Sequence, residues 1–219
     1  MDSLAAHNDY GDAALDEGSL DADPFAQFRR WLAEAESAGL EEPNAMVVGT
    51  VDPDGVPSSR TVLLRGVDDR GFAFYSNYGS RKGLALATNP SASLLFPWYP
   101  VHRQVIVQGA VTRLSAEESD AYFASRPRGS RLAAIASDQS QPIASRAELE
   151  RRVEQLTAEL TAEDGTERAA ERPAHWGGYV VDPHRIEFWK GRTSRLHDRL
   201  VYTRTADTVT GWTVTRLQP

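Results

Sequence analysis

Six short clusters of cationic and polar side chains stand out in a chain whose formal net charge is −7. The first is Arg60-Thr61-Val62-Leu63-Leu64-Arg65, an apolar strand-like run with a guanidinium at each end. The second, Ser80-Arg81-Lys82-Gly83, falls at a predicted helix start, where free backbone N–H groups and the helix dipole favour an anion. Arg103-Gln104 lies inside a strongly β segment. Tyr122, Arg126 and Ser130 recur every four residues, with Pro127 predicting a corner rather than an unbroken helix. The remaining two are Ser137-Asp138-Gln139-Ser140, and Trp189 followed by Arg195-Leu196-His197-Asp198-Arg199. Singly, each reads as ordinary solvated surface. Together they suit a protein that binds two phosphate groups and an aromatic heterocycle. Arg and Lys hold phosphates by charge-assisted hydrogen bonds, amides address a ring's polar edge, and Trp packs on its face.

Other chemistries are poorly supported. There is no cysteine, hence no disulfide, thiolate metal site or cysteine nucleophile. No Walker-type phosphate loop, dinucleotide fingerprint or serine-hydrolase elbow occurs. The five histidines are His7, His102, His175, His184 and His197, and none has zinc-ligand spacing, so no metal is expected. The acidic balance argues against a general nucleic-acid or membrane-surface binder. No apolar run approaches a membrane span and no signal-peptide pattern opens the chain, so the expected location is cytoplasmic.

The elements that must position these clusters follow from patterning. Residues 1–22 are acidic, small and polar, without Lys or Arg, and read as a flexible tail; residues 23–219 read as one domain. Asp23-Pro24 opens a helix with Phe25, Phe28, Trp31, Leu32 and Ala35 on one face and Gly39 as its stop. Strands are predicted at 45–52, 58–67 and 72–76 as an antiparallel meander, then a short helix at 82–88 and long strands at 91–99 and 102–114. Capping boxes at Ser115/Glu118 and Ser145/Glu148 open a helical section that includes a helix over 146–163. Strands return at 178–181, 185–190, 199–205 and 211–217. With no βαβ alternation, the expected fold class is α+β, mainly β: a closed antiparallel barrel with peripheral helices.

The motifs also carry a resemblance. Asp23-Pro24-Phe25, Glu42-Pro43-Asn44-Ala45-Met46, Pro57-Ser58-Ser59-Arg60, Gly71-Phe72-Ala73-Phe74-Tyr75-Ser76-Asn77-Tyr78 and Ser80-Arg81-Lys82 stand in the order found in pyridoxamine 5'-phosphate oxidases. So do Phe96-Pro97-Trp98, Arg103-Gln104-Val105, Ser125-Arg126-Pro127, Trp176-Gly177-Gly178-Tyr179, Ile186-Glu187-Phe188-Trp189 and the run from Arg195 to Arg199. The chain resembles that family from about Asp23 to Pro219. The resemblance implies an FMN-binding split barrel acting as a homodimer, with FMN at the subunit interface. It implies cofactor contacts at Arg60, Thr61, Val62, Leu63, Leu64, Arg65, Tyr75, Ser76, Arg81, Lys82, Gln104, Gln139, Ser140, Trp189 and Arg199. It implies substrate-phosphate contacts at Arg65, Tyr122, Arg126 and Ser130, with Arg195 and His197 as the catalytic pair over a pyridine ring.

The implied reaction oxidises the 4' carbon of pyridoxine or pyridoxamine 5'-phosphate, with dioxygen as final acceptor. The alternatives are a related flavin oxidase of phenazine biosynthesis acting on a reduced tricyclic intermediate, and a flavin- or B6-phosphate-binding protein without turnover. Four departures bear on substrate identity. Arg65 stands where Lys is usual, Ile135 where Trp is common and Lys190 where Gln is common; the N-terminal tail lacks a basic, Tyr-containing segment, since Tyr10 has no basic neighbour.

Overall fold

The computed structural model describes Leu4 and residues 9–219. Five α-helices lie among the described residues: α1 (Pro24–Ser37), α2 (Arg81–Thr88), α3 (Ala116–Ser125), α4 (Arg128–Ala136) and α5 (Arg146–Glu159). Nine strands accompany them: β1 (Ala45–Val51), β2 (Pro57–Leu63), β3 (Gly66–Asp68), β4 (Gly71–Asn77), β5 (Ser91–Trp98), β6 (Arg103–Arg113), β7 (Trp176–Lys190), β8 (Asp198–Arg204) and β9 (Trp212–Leu217). All pair antiparallel in the order β2-β1-β5-β6-β7-β4-β3, with the β8-β9 hairpin added to β7. This is the mainly β, split-barrel architecture that the resemblance implies; β2 and β3 at the ends of the path do not pair, so the sheet does not close into the barrel expected from patterning alone. No helix among the described residues is long and apolar enough to cross a membrane.

Alternation decides what lies inside. Phe72 and Phe74 of β4, Leu94 and Phe96 of β5, Val105 and Val107 of β6 and Ile186 and Phe188 of β7 are fully buried. The opposite faces mix polar and apolar side chains, among them Tyr75, Ser93, Leu95, Gln104, Ile106, Arg185 and Trp189. Helix α1 packs on this core. Asp23 caps it by accepting from the backbone of Phe25 (3.0 Å) and Ala26 (3.1 Å). The Phe28 ring then lies 4.9 Å from Phe72, 4.8 Å from Phe96 and 5.8 Å from Trp98.

Two predicted strand boundaries and one predicted cap differ from the structure, and the helix expected over 146–163 ends at Glu159. The expected strand 58–67 is two strands. Backbone N–H of Leu64 donates to Asn44 O and that of Arg65 to Ala73 O, both at 2.8 Å, so the chain leaves β1 and joins β4 between adjacent residues. Conversely, the expected strands 178–181 and 185–190 are one. The Asp182-Pro183-His184 break signal is absorbed by a bulge opposite Gln108/Gly109, where Pro183 aligns with Gly109 and Arg185 with Gln108. Gly109 permits this, because a Cβ there would stand 2.1 Å from Asp182 O. The Ser115 box is complete, but at Ser145 only the serine half forms. Glu148 instead turns to Arg151 (3.2 Å) and Arg152 (3.3 Å). Pro127 makes the predicted corner between α3 and α4.

Residues 9–22, read from sequence within a flexible tail, make specific contacts with the barrel. Leu15 is 5% exposed, its N–H donates to Asp198 Oδ2 at 3.0 Å, and Tyr202 donates its hydroxyl to Asp21 O at 2.6 Å. The rest of that tail, His7 included, lies outside the described residues apart from Leu4.

Phe28→Ala should cost about 3–5 kcal/mol, because three aromatic rings lose their contact with Phe28 and cannot collapse onto an alanine. Urea denaturation would show this as a lower midpoint with an unchanged slope.

Candidate active site

The mouth between β2, β4, α2 and α3 collects most of the predicted cluster residues. A cavity of about 480 Å³ is lined by Arg60, Thr61, Val62, Leu63, Arg65, Tyr75, Ser76, Lys82, Tyr122, Arg126, Gln139 and Trp176. Four of these are cationic and none is a carboxylate. An adjoining cavity of about 370 Å³ shares Arg126, Gln139 and Trp176 and adds Ser130. A larger cleft of about 640 Å³ over β1, β2, β5 and β6 has His184 as its one titratable lining residue and little chemistry to offer.

Arg60 and Lys82 are held by neutral oxygens, whereas Arg65 is exposed. Arg60 donates to Val48 O (3.1 Å), Thr50 Oγ1 (2.8 Å) and Ser58 Oγ (2.7 Å). Burial lowers its pKa, with Arg81 adding to that effect and Asp52 opposing it. Lys82 sits in the first turn of α2, buried. It donates to Gln139 Oε1 (2.7 Å), Ser76 Oγ (2.8 Å) and Ser80 Oγ (3.2 Å). Burial, then the Arg60 charge, pushes its pKa down to about 8. Arg126 follows the last turn of α3, its guanidinium 4.7 Å from the Trp176 ring. Its Nη1 is buried without a hydrogen-bond partner, and burial lowers its pKa first, with Arg65 contributing. Tyr75, Tyr122 and Trp176 form a nearly parallel stack, with Tyr75 and Tyr122 3.8 Å apart. Four cations without a lining carboxylate, one of them with a buried unpaired nitrogen, beside flat rings are the arrangement an aromatic phosphate would satisfy.

Three residues predicted in this group lie outside its cavities. Arg81 turns to Asp52 (2.6 Å) and does not line the cavity. Leu64 buries its side chain in the core. Ser140 is exposed, with φ 72°, beside Gln139 but outside both linings.

The other predicted residues form a second group. Gln104, Trp189 and Arg199 are registered side by side across β6, β7 and β8. His197 lies 4.7 Å from the Trp189 ring, and its Nδ1 accepts the Arg192 N–H at 3.1 Å, which leaves Nε2 to carry the proton of the neutral ring. Burial lowers the His197 pKa, with Arg195 adding to that and Asp198 opposing it. Ser194 and Arg195 both adopt left-handed backbone (φ 57° and 61°), a strained presentation for non-glycine residues. None of Gln104, Trp189, Arg195, His197 and Arg199 lines the cavities of the first group. Trp176 and Trp189 begin and nearly end β7, roughly 40 Å apart along the strand contour at ~3.3 Å per residue.

Sequence reasoning missed Tyr10, whose ring lies 5.6 Å from His197 and 4.8 Å from His102. It also left Trp176 without a role, although an aromatic residue at a strand start beside Gly177-Gly178 was visible. Asp52 and Glu187 were given no role either, and Asp198 entered only as a member of the Arg195 to Arg199 cluster; Glu187, a charge between Ile186 and Phe188 in an apolar strand, was the legible signal.

A family model described as pyridoxamine 5'-phosphate oxidase matches residues 32–159, and one described as the pyridoxine 5'-phosphate oxidase C-terminal dimerisation region matches residues 176–219. A pyridoxine/pyridoxamine 5'-phosphate oxidase of Burkholderia lata is 55% identical over 96% of this chain and 95% of its own. One from Rubrobacter xylanophilus is 54% identical over 100% and 97%. Among solved structures, PhzG from Burkholderia lata, crystallised with tetrahydrophenazine-1-carboxylic acid, superposes with a TM-score of 0.86 at 33% identity, covering 96% of this chain and 100% of its own.

Lys82 generates a pH prediction with a definite sign. Its folded pKa of about 8 lies below the ordinary 10.5, so between those values the unfolded chain binds the extra proton. The burial penalty is complete below about pH 8 and fades as pH rises toward 10.5. The stability of wild type relative to Lys82→Met should therefore be flat below pH 7 and increase from pH 8 to 10, measured by denaturant titration.

Proposed function

Because the chain belongs to the pyridoxamine 5'-phosphate oxidase family, we propose that it is an FMN-dependent oxidase that converts pyridoxamine or pyridoxine 5'-phosphate to pyridoxal 5'-phosphate, with dioxygen as acceptor. The observation that carries this reading is the cavity with four cations, no carboxylate and a stacked aromatic wall. Its buried Arg126 Nη1 lacks a partner and Lys82 faces only neutral oxygens, so the residues present fit phosphate-bearing ligands.

Arg60, Lys82, Ser76 and Gln139 would hold the cofactor. Arg65, Tyr122, Arg126 and Ser130 hold the substrate phosphate. FMN, when bound, supplies the hydride acceptor that no side chain of this chain can provide. Arg195 and His197 orient the pyridine ring, while Gln104, Trp189 and Arg199 complete the cofactor's surroundings. These last five belong to the segments that stand apart from the cavity in one chain. A two-fold dimer, in which one protomer's second group completes its partner's cavity, accounts for that separation. The match of residues 176–219 to a dimerisation region supports it.

A second reading rests on the likeness to PhzG: a flavin oxidase of a reduced tricyclic acid. The set Arg65, Tyr122, Arg126 and Ser130 favours the phosphorylated substrate, since two guanidiniums and two hydroxyls match the three terminal oxygens and double charge of a phosphate better than the single charge of a carboxylate, which could still pair with Arg126.

Aerobic assays with each substrate separate the two readings. With pyridoxamine 5'-phosphate, Arg126→Ala should raise KM by roughly 30-fold, the equivalent of about 2 kcal/mol for a charge-assisted contact remote from the reacting carbon. Arg195→Ala should lower kcat by about tenfold or more by misaligning the ring. FMN content should survive both. Wild-type kinetics in both variants would remove the site assignment, and turnover of the tricyclic acid alone would replace the first reading with the second.

A further inference from the structure

Glu187 is 2% exposed, although it stands on the outward face of β7 with Arg185 and Trp189. Its carboxylate is divided between two cations: Oε1 accepts from Arg199 Nε at 2.7 Å, and Oε2 from Arg185 Nη2 at 2.8 Å. Burial alone would raise the Glu187 carboxyl, yet the hydrogen bonds from Arg199 and Arg185 outweigh it and hold the pKa below the ordinary value. Arg185 is fixed in turn by Gln108 Oε1 at 3.1 Å. Arg199 also donates Nη1 to Gln218 O at 3.1 Å, and its Nη2 has no hydrogen bond among the described residues. The guanidinium is thus clamped through two nitrogens and offers the third.

We infer that Glu187 is a positioning residue for the flavin site, acting through Arg199. Bridged by Glu187 and Gln218, the guanidinium is ordered before any ligand arrives, with Nη2 presented to an acceptor on the cofactor. Ordering an arginine costs rotamer entropy, and here that cost falls on folding instead of binding. The inference rests on the flavin reading above and adds a residue with no contact of its own to the ligand.

A double-mutant cycle tests it, read as FMN affinity of the purified full-length protein by fluorescence quenching, with thermal melting of the flavin-free protein alongside. Glu187→Gln keeps the side-chain shape but removes the charge that holds Arg199. It should weaken FMN binding about tenfold in the wild-type background and by less than about twofold in an Arg199→Ala background, because the lost interaction is already gone there. Glu187→Asp keeps the charge but cannot span both arginines. It should show a smaller loss that also vanishes with Arg199→Ala, and it carries the test if the glutamine variant does not fold. Unchanged affinity in a folded Glu187 variant overturns the inference. So does an equal loss in both backgrounds, which would mark Glu187 as merely structural. Failure of the wild-type protein to bind FMN would instead overturn the flavin reading itself, and is seen before any variant is made.

Discussion

Strand β7 is paired along both edges, with β6 on one side and β4 followed by β8 on the other. The change of partner comes at the Asp182-Pro183-His184 bulge, where Pro183, lacking an N–H, is tolerated. One end of the strand delivers Trp176 to the cationic cavity, and the other delivers Trp189 to the row with Gln104 and Arg199. The two cavities of the first group are lined by no member of the second, and the ends of β7 lie roughly 40 Å apart along the strand contour at ~3.3 Å per residue. The dimeric reading follows from this spacing as much as from the family.

The placement of acids complements that of cations. Among the acids that pair with arginines, Asp52 holds Arg81, Glu187 holds Arg185 and Arg199, and Asp198 holds Arg192 and Arg216. None of these acids lines the cavity that holds Arg60, Arg65, Lys82 and Arg126. Buried charge without a partner is costly, and the chain tolerates it only where neutral hydroxyl, amide and carbonyl oxygens surround the cations. An anionic ligand removes that cost, so binding gains what folding loses. Asp198 has another consequence. By accepting from Leu15 N–H and Arg216, it ties residues 15–17 to the His197 loop, and Tyr10 lies against His197 as part of the same belt.

Much of the fold was legible because burial on one face imposes a period. The aromatic stripe of α1, the alternation in β4 to β6 and the Ser115 cap are local patterns with local causes. The errors occur where a local signal met a tertiary alternative. No glycine or proline marks the step from β2 to β3 at Leu64-Arg65, since the chain changes partner rather than direction. The Pro183 break signal was real but was absorbed by a bulge that needs Gly109, 74 residues earlier. The acidic segment at 9–22 has little apolar surface of its own, and its contacts depend on Asp198, Tyr202 and Arg216 from the far end of the chain.

The sequence by itself determined the fold class, the clusters of cations and amides, and the family they resemble, because residue type and order suffice for those. It could not say which cations face a common space. Arg60 and Arg81 look equivalent in the sequence, yet one lines the cavity and the other turns to Asp52, since a side chain's direction depends on partners brought from elsewhere. Nor could it divide the polar residues into two groups, or reveal that Glu187 orients Arg199 across a strand pair. Those are distances between strands, set by register and by the length of β7, and they exist only once the sheet has formed.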